Sequence, residues 1–359
     1  MVINMIFEFT NSFFEYYSNN TITNEVIDCM DRVFSSYQEG DHLIWFESYT
    51  IAKSFFVTND KITDKIKKIF VEFSNHRQDI ATIKNNTSLS VFIKEENFNF
   101  CYKNNESSFY VPITYFTTPV NQCIFLSENL SDVDFYMYLS YYLIYKYDQY
   151  RLLRGVKLKY GWQNGGGSDS KKILERLAQD KEFTFGIFDS DKNNLNDPIW
   201  KRSTAGGVLS VANRYINSCI IGYYILNCRE KENLIHPYFW DLFFNHRHSG
   251  LKYLANFPND IRLAFIKYTG KNKMNNLGSF DSPQYSFNTI SKNDLDKFCK
   301  RYLITNEYVI NHRNRINLTV SNRNIDLYEH ILPIIEDDYD NIVQNIFSWT
   351  CALDRIIFR

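Results

Sequence analysis

Acidic side chains follow two short apolar runs of this sequence. Asp189 and Asp191 come after residues 183–188, and Glu128 comes after residues 123–127. Such runs are typical of buried strands in a parallel sheet, and open α/β sheets place their sites at the carboxyl ends of these strands. In an extended chain, residues i and i+2 point the same way, so we expect the two aspartates to face one hard cation together. Mg²⁺ prefers oxygen ligands, and the pattern therefore predicts a magnesium site.

A larger set of carboxylates would suit phosphodiester chemistry. Two divalent ions roughly 3.5 to 4 Å apart can activate a water, orient a phosphate and stabilise the leaving oxygen of an in-line displacement. Carboxylates clustered without a metal would repel one another and take up protons, so the cluster implies an ion. We expect two ions, Mg²⁺ or Mn²⁺. The predicted metal ligands are Glu128, Asp132, Asp189, Asp191 and one of Glu230 or Glu232, and the choice between the last two is left open.

Other residues beside these acids could approach a phosphate. Lys192 directly follows the aspartates and is predicted to act with the four acids in catalysis, by neutralising charge on the scissile phosphate. Lys201 and Arg202 are candidate contacts to a nucleic-acid backbone, although each could equally be a surface charge. A glycine run lies at a predicted strand-to-helix turn, where the backbone must pass close to something. The residues predicted for that approach are Gly165, Gly166, Gly167 and Ser168.

Each of these motifs has a structural alternative. Asp-x-Asp pairs also occur in surface turns, a glutamate after a strand commonly caps a helix, and three glycines can form a flexible turn. Their order along the chain, with each motif at the end of a predicted strand, is what favours a joint site.

The elements that must position these residues follow a βαβα pattern. We expect strands at residues 123–127, 156–162, 183–188 and 219–226, with helices after each of the first three. Before them, Thr23 is a predicted N-cap for an amphipathic helix. A second helix is expected from residue 60. Residues 89–93 and 98–102 alternate apolar and polar side chains and predict a hairpin, with a third strand within residues 109–116. Residues from about 238 onward are expected to be mostly helical, closing on a helix over residues 340–358.

The predicted fold class is therefore α/β, with a central parallel sheet flanked by helices. We expect an N-terminal α+β accessory domain at residues 1–118, a catalytic domain at 119–240 and a mostly helical C-terminal extension at 241–359. A length of 359 residues fits two or three domains.

Composition limits the partners and the compartment. The net charge is −1, so nucleic acid would have to be held by a local basic patch. Seven cysteines occur without a C-x-x-C pair, which argues against a structural zinc and a disulfide framework and favours a cytoplasmic location. No apolar run approaches the ~18 residues of a membrane span, and the first residues do not resemble a signal peptide. We expect no membrane partner.

The order of motifs resembles the Toprim fold of topoisomerases, primases and OLD-family nucleases. Glu128 corresponds to the glutamate of that family, residues 165–167 to its strand-two glycines, and Asp189 with Asp191 to its Asp-x-Asp pair. Asp132 matches the acidic residue of the nuclease branch, and residues 229–233 resemble the acidic stretch that closes the site in OLD-like members. The resemblance covers residues 119–240 and implies a Toprim-like nuclease that binds Mg²⁺.

The resemblance implies cleavage of DNA, or less readily RNA, by a two-metal mechanism in a bacterial anti-phage defence effector. No Walker A motif is present, so an ATPase or sensor would be a separate chain. Topoisomerase and primase activities are not expected, because a tyrosine-bearing winged helix and zinc-ribbon cysteines are missing. Two alternatives remain open: a non-catalytic module that binds nucleic acid or a nucleotide, and a structural partner. Formation of a homo-oligomer is also left open.

Overall fold

Two β-sheets with packed helices make up the protein. The computed structural model describes residues 5–85, 89–154, 157–247, 249–257, 260–266, 272–273, 286–287, 290–303 and 325–352. Within these residues, the chain is an α/β protein with one mixed five-stranded sheet, one all-parallel four-stranded sheet and helices toward the C-terminus.

The first sheet is built from the N-terminal part of the chain. Its spatial order is β2-β1-β3-β5-β4, in which all neighbours are parallel except β4 and β5. Its strands are β1 (Ile6–Phe9), β2 (Leu43–Phe46), β3 (Ser90–Lys94), β4 (Cys101–Lys103) and β5 (Ser108–Pro112). Its helices are α1 (Asn11–Asn19), α2 (Asn24–Gln38), α3 (Tyr49–Thr58) and α4 (Asp64–Asn85).

The sequence-based predictions for this region are right about most elements and wrong about one pair of neighbouring strands. Thr23 caps α2 as predicted, accepting a hydrogen bond from the backbone N–H of Val26 at 3.3 Å. The predicted hairpin of β3 with β4 does not form, because β5 lies between them and is parallel to β3. Alternation of apolar and polar residues indicates which face of a strand is buried, but it does not indicate which other strand pairs with it.

The second sheet carries the predicted site strands. Its order is β10-β9-β6-β8, and every neighbouring pair is parallel. Three of the four strands begin within two residues of their predicted starts. The second strand of the sheet begins at Gly161, and the segment before it forms a separate two-residue strand, so the prediction of one strand over 156–162 was wrong there. The four strands of the sheet are β6 (Ile124–Ser127), β8 (Gly161–Asn164), β9 (Thr184–Phe188) and β10 (Ile221–Ile225), and the separate strand is β7 (Lys157–Leu158).

Helices cover both faces of this parallel sheet. The predicted connecting helices are present as α5 (Leu130–Lys146), α6 (Ser170–Gln179) and α7 (Thr204–Tyr215). Helix α5 packs on β6 and β8, whereas α6 and α7 pack together on the opposite face against β6, β9 and β10. The chain therefore leaves β6 toward one face and leaves β9 toward the other.

The C-terminal part adds short elements and one long helix. They are α8 (Pro237–Phe243), α9 (Ser249–Ala255), β11 (Asn272–Lys273), β12 (Ser286–Phe287), α10 (Lys292–Phe298), α11 (Pro333–Thr350) and β13 (Cys351–Ala352). Helix α11 begins before the predicted 340 and ends at Thr350, where β13 pairs with β7. Residues 353–358 of the predicted helix lie outside the described residues.

Trp349 of α11 joins the two sheets. Its ring stacks on Phe185 of β9 at 5.5 Å between centroids and meets Phe109 of β5 edge-on at 6.2 Å. Gly222 of β10 lacks a side chain where this ring lies. One hydrophobic core contains residues of both sheets and of α11. The predicted domain boundaries stay predictions. Across the described part of the chain, no helix combines the length and hydropathy that a membrane span requires.

Candidate carboxylate site

The two central acids lie at the ends of adjacent strands. Glu128 directly follows β6 and Asp189 directly follows β9, and these strands are parallel neighbours. The connections leave β6 and β9 toward opposite faces, so a crevice opens between their carboxyl ends. This crevice is the topological switch point at which open α/β sheets bind ligands. The backbone topology thus singles out the position of Glu128 and Asp189 independently of their charge.

Asp132 has a structural role at the start of α5. It is 3% exposed, and its Oδ2 accepts a hydrogen bond from the backbone N–H of Asn129 at 2.9 Å, which completes a capping box. Its other oxygen, Oδ1, lies 2.9 Å from Nζ of Lys231. Asp132 therefore reaches the site as predicted, and its contacts there are to protein groups.

Lys231 occupies the centre of the acidic residues. Its backbone N–H donates to Oδ1 of Asp189 at 2.9 Å, and its Nζ lies 3.4 Å from Oε1 of Glu232. The residue is 5% exposed. Burial alone would lower the pKa of Lys231, but Glu232, Asp189 and Asp132 outweigh it and raise that pKa above its ordinary value. The lysine is therefore a permanent cation among carboxylates.

The structure separates the two glutamates beside Lys231. Glu230 is the N-cap of a 3₁₀ turn, Lys231–Leu234, and forms a capping box with Asn233, whose Oδ1 accepts from the backbone N–H of Glu230 at 3.0 Å. Glu232 is 1% exposed and directs its carboxylate at the ammonium of Lys231. Of the pair left open by the sequence, Glu232 is the one that joins the acids.

Asp191 reaches the site through a turn. Its φ is +56°, a left-handed conformation that Asp tolerates better than most residues, and its backbone N–H donates to the carbonyl of Arg229 at 3.0 Å. The extended backbone that the prediction assumed is therefore wrong at Asp191, and the facing of both aspartates toward one cation stays a prediction. Asp191 is exposed, and its charge acts on Glu128, whereas Asp189 contacts the backbone of Lys231.

We call the group formed by Glu128, Asp132, Asp189, Asp191 and Glu232 around Lys231 the carboxylate cluster. Burial, with the charges of Asp132 and Asp191, raises the pKa of Glu128 to about 7, against the opposing effects of Lys231 and a hydrogen bond with Thr204. Burial also raises the pKa of Asp189 well above its ordinary value, and Lys231 only partly offsets this. The cluster holds more carboxylates than its lysine can neutralise.

The glycine turn packs against the end of β6. The backbone N–H of Gly165 donates to the carbonyl of Ser127 at 2.7 Å, and those of Gly166 and Gly167 donate to the carbonyl of Glu128 at 3.0 and 3.3 Å. A Cβ on Gly165 would lie 2.7 Å from the Ser127 carbonyl. The close approach predicted for this turn is therefore an approach to the protein's own backbone. Contact of the glycines or of Ser168 with a phosphate stays a prediction.

The predicted basic residues lie on the segment that connects β9 to α7. Lys192 is half-buried, and its carbonyl accepts from Nη1 of Arg229 at 3.2 Å. Lys201 and Arg202 are exposed in the turn before Ser203, the N-cap of α7. Thr204 follows that cap and hydrogen-bonds Glu128. Lys201 and Arg202 thus lie close in sequence to a residue of the site, on its solvent side.

Protein groups alone do not form a closed metal cage here. Within the described ranges, no three His, Cys, Asp or Glu side chains are arranged to hold a metal ion between them. Mg²⁺ seldom requires such a cage, because it usually binds one or two carboxylates and completes its octahedron with waters and substrate phosphates. Asp132 and Glu232 contact Lys231, which leaves Glu128, Asp189 and Asp191 as the oxygens for a cation. The excess of carboxylate over positive charge fits such an ion.

A separate cavity of about 220 Å³ lies between the two sheets. Its walls include Phe109, Phe185, Tyr223 and Trp349, and none of the cluster residues lines it. This cavity and the concentration of charge are therefore in different places, and the charge and the sheet topology point to the carboxylate cluster.

Comparison with known proteins gives no relative from which to transfer a role. No protein-family model matches the sequence, and neither the curated proteins nor the solved structures contain a match. The function must be argued from the residues themselves.

Sequence reasoning missed Lys231 and Thr204. The signal for Lys231 was present, since it stands between two glutamates in the segment after the fourth predicted strand, where acidic neighbours can pair with its charge. Thr204 carried no such signal, because its contact with Glu128 depends on how α7 packs with α6 against the sheet.

Removal of the Lys231 ammonium should destabilise the metal-free protein. In Lys231→Met, the carboxylates of Asp132 and Glu232 lose their buried counter-ion, which typically costs about 3–5 kcal/mol of unfolding free energy. Urea unfolding at pH 8 in EDTA measures the loss. Lys172→Met is the matched control, because its partner Asp169 is at the surface, and it should unfold close to wild type. Equal stability of the two variants would show that the buried ammonium does not balance the cluster.

Glu128 should make the metal-free protein less stable as the pH rises. Its pKa is raised from 4.5 to about 7 in the fold, so between these values the folded state binds more protons than the unfolded state. Its stabilising contribution is complete below pH 4.5 and is lost through about pH 7. Glu128→Gln should remove this dependence and be more stable than wild type at pH 8, as measured by urea unfolding from pH 5 to 8.5 in EDTA. An unchanged pH slope in the variant would contradict the assignment.

Proposed function

We propose that this protein is a metal-dependent nuclease that cleaves phosphodiester bonds of DNA, with RNA as the less favoured substrate. The observation that carries the proposal is the position of Glu128 and Asp189 at the switch point of a parallel sheet, together with Asp132, Asp191 and Glu232, so that five carboxyl groups share one buried lysine. A divalent cation would balance the negative charge of such a cluster, and a phosphate bound to that cation is the group on which it would act.

One or two carboxylates among Glu128, Asp189 and Asp191 would hold the cation, and waters and substrate phosphates would complete its ligands. When bound, it would supply Lewis-acid stabilisation of a phosphoryl oxygen and lower the pKa of a coordinated water. Two ions are the expectation from the resemblance to Toprim nucleases. In this chain the Lys231 ammonium lies between Asp132 and Glu232, so its positive charge partly balances these two carboxylates.

Glu128 is suited to move a proton. In the metal-free protein, a pKa of about 7 lets this carboxylate accept a proton near neutral pH. Glu128 would therefore act as the general base where Asp189 or Asp191 holds the cation, because a cation bound to Glu128 itself would lower that pKa. The hydrogen bond with Thr204 and the glycine turn on the carbonyl of Glu128 hold that residue in place. Asp189 is held by the backbone N–H of Lys231, and Lys192 follows on the same loop, where its charge would stabilise the phosphate.

We further propose that the four-stranded sheet is a Toprim-like domain of the OLD nuclease type. What supports this is the order of the glutamate, glycine and Asp-x-Asp motifs at the ends of β6, β8 and β9. The family resemblance carries with it a cytoplasmic role in anti-phage defence and a separate ATPase or sensor chain, and both belong to the proposal.

A second candidate is a Toprim-like module that binds nucleic acid or a nucleotide without cutting it. The contacts of Lys231 favour it, because a lysine that neutralises Asp132 and Glu232 makes the cluster partly self-sufficient. The structural-partner alternative would leave the cluster without any ligand.

Cleavage assays with matched acid variants separate these candidates. We expect wild type to nick plasmid DNA with Mg²⁺ or Mn²⁺ and to stop in EDTA, and Asp189→Asn and Glu128→Gln to lose at least about 100-fold in rate. Asp180→Asn is the control, since this exposed residue lies at the other end of β9, and it should cut like wild type. Metal binding without cleavage of any DNA or RNA would favour the binding module. Cleavage that persists in both site variants would exclude this site as its source.

A further inference from the structure

Two of the five tryptophans are exposed. Trp240 and Trp349 are buried, and Trp45 is half-buried against the core. Trp162 is 44% exposed and Trp200 is 64% exposed. Exposure of a large aromatic side chain gains nothing for the fold, and aromatic residues at the surface are enriched where ligands bind.

Trp200 is anchored next to the carboxylate cluster. Its carbonyl accepts hydrogen bonds from the backbone N–H of Ser203 at 2.9 Å and from Oγ of Ser203 at 2.7 Å. A Cβ on Gly206 would lie 2.8 Å from Cα of Lys201, so this turn packs tightly on the first turn of α7. Thr204, in that same helical turn, hydrogen-bonds Glu128. The turn that carries Trp200 is therefore fixed relative to the proposed reacting groups.

Positive charge accumulates at the same helix end. Lys201 and Arg202 are exposed directly after Trp200. The aliphatic part of the Lys171 side chain lies over Gly207, with its Cδ 3.1 Å from the position of a Cβ there. Three basic side chains thus surround the N-terminal turn of α7, whose backbone dipole also favours an anion. Aromatic and basic groups side by side are the combination that binds single-stranded nucleic acid.

We propose that Trp200 is a stacking platform for an unpaired base of a single-stranded nucleic acid, whose phosphates are bound by Lys171, Lys201 and Arg202. The inference rests on the proposed function and names its substrate class. An unpaired base is required because the faces of paired bases in a duplex are covered by their neighbours, whereas a single strand presents them to an aromatic ring. Stacking there would deliver the strand to the cluster beside Glu128.

Binding measured without cleavage tests this assignment. The probes are a fluorescein-labelled 12-nucleotide single-stranded DNA, an RNA of the same sequence and the matching blunt DNA duplex, followed by anisotropy in EDTA. Trp200→Ala should weaken binding of the single strands about 5- to 150-fold and change duplex binding little, and Trp200→Phe should keep most of the affinity. Lys201→Ala should weaken binding of all three probes and lower the slope of log affinity against log salt by about 0.7 on single strands.

Trp162→Ala is the matched control. Trp162 is also an exposed tryptophan, but it lies on the edge strand β8, and β6 separates that strand from β9, which leads into the segment that carries Trp200. This variant should bind single strands like wild type. Equal losses in Trp162→Ala and Trp200→Ala, undiminished single-strand binding by Trp200→Ala, or no binding of single strands by wild type would each overturn the inference.

Failure of this inference is distinguishable from failure of the proposed cleavage. Wild type that binds single strands through Trp200 but cuts nothing with Mg²⁺ or Mn²⁺ would retain the strand site and exclude the nuclease. Wild type that cuts DNA while Trp200→Ala binds every probe normally would retain the nuclease and exclude the stacking platform.

Discussion

The buried ammonium of Lys231 is the interaction on which the rest of the site depends. It contacts Asp132 and Glu232 directly, and its backbone N–H positions Asp189. Buried carboxylates are costly unless they are paired, and without this cation the acids could not share one crevice in their charged forms. With it, they remain together, and burial raises the pKa values of Glu128 and Asp189 despite the opposing effect of Lys231. The acids can therefore be buried together in the folded protein and can still bind a cation.

The parallel sheet supplies the positions of these groups. Strands β6 and β9 are neighbours, and the helices that follow them lie on opposite faces of the sheet. Neither connecting segment therefore crosses between their carboxyl ends, and a crevice stays open there. Helices α5 and α7 then bring Asp132 and Thr204 to its two sides. The 3₁₀ turn after β10 adds Lys231 and Glu232 from a third strand end. Four segments distant in sequence therefore contribute to one site through backbone topology alone.

The sequence predicted the site strands well because each is a short apolar run that ends in polar residues. The ends of β6, β9 and β10 lie within two residues of their expected positions, and Glu128 and Asp189 follow from them. The partner of β3 was predicted wrongly, since strand pairing depends on distant segments and β5 enters between β3 and β4. The extended backbone predicted at Asp191 was wrong, because the residue type alone does not indicate the left-handed conformation that this aspartate adopts. The contacts of Lys231 and Thr204 arise from tertiary packing, which local periodicity does not report.

The central claim is that the crevice between β6 and β9 binds a divalent cation through its acids. A crystal structure of the protein grown with Mn²⁺, with anomalous difference density collected at the manganese edge, tests it most directly. We expect a manganese peak within about 2 to 2.5 Å of carboxyl oxygens of Glu128 and of Asp189 or Asp191, with Lys231 still paired to Asp132. Manganese bound only elsewhere, or no peak in the crevice at saturating Mn²⁺, would show that these acids do not form a cation site.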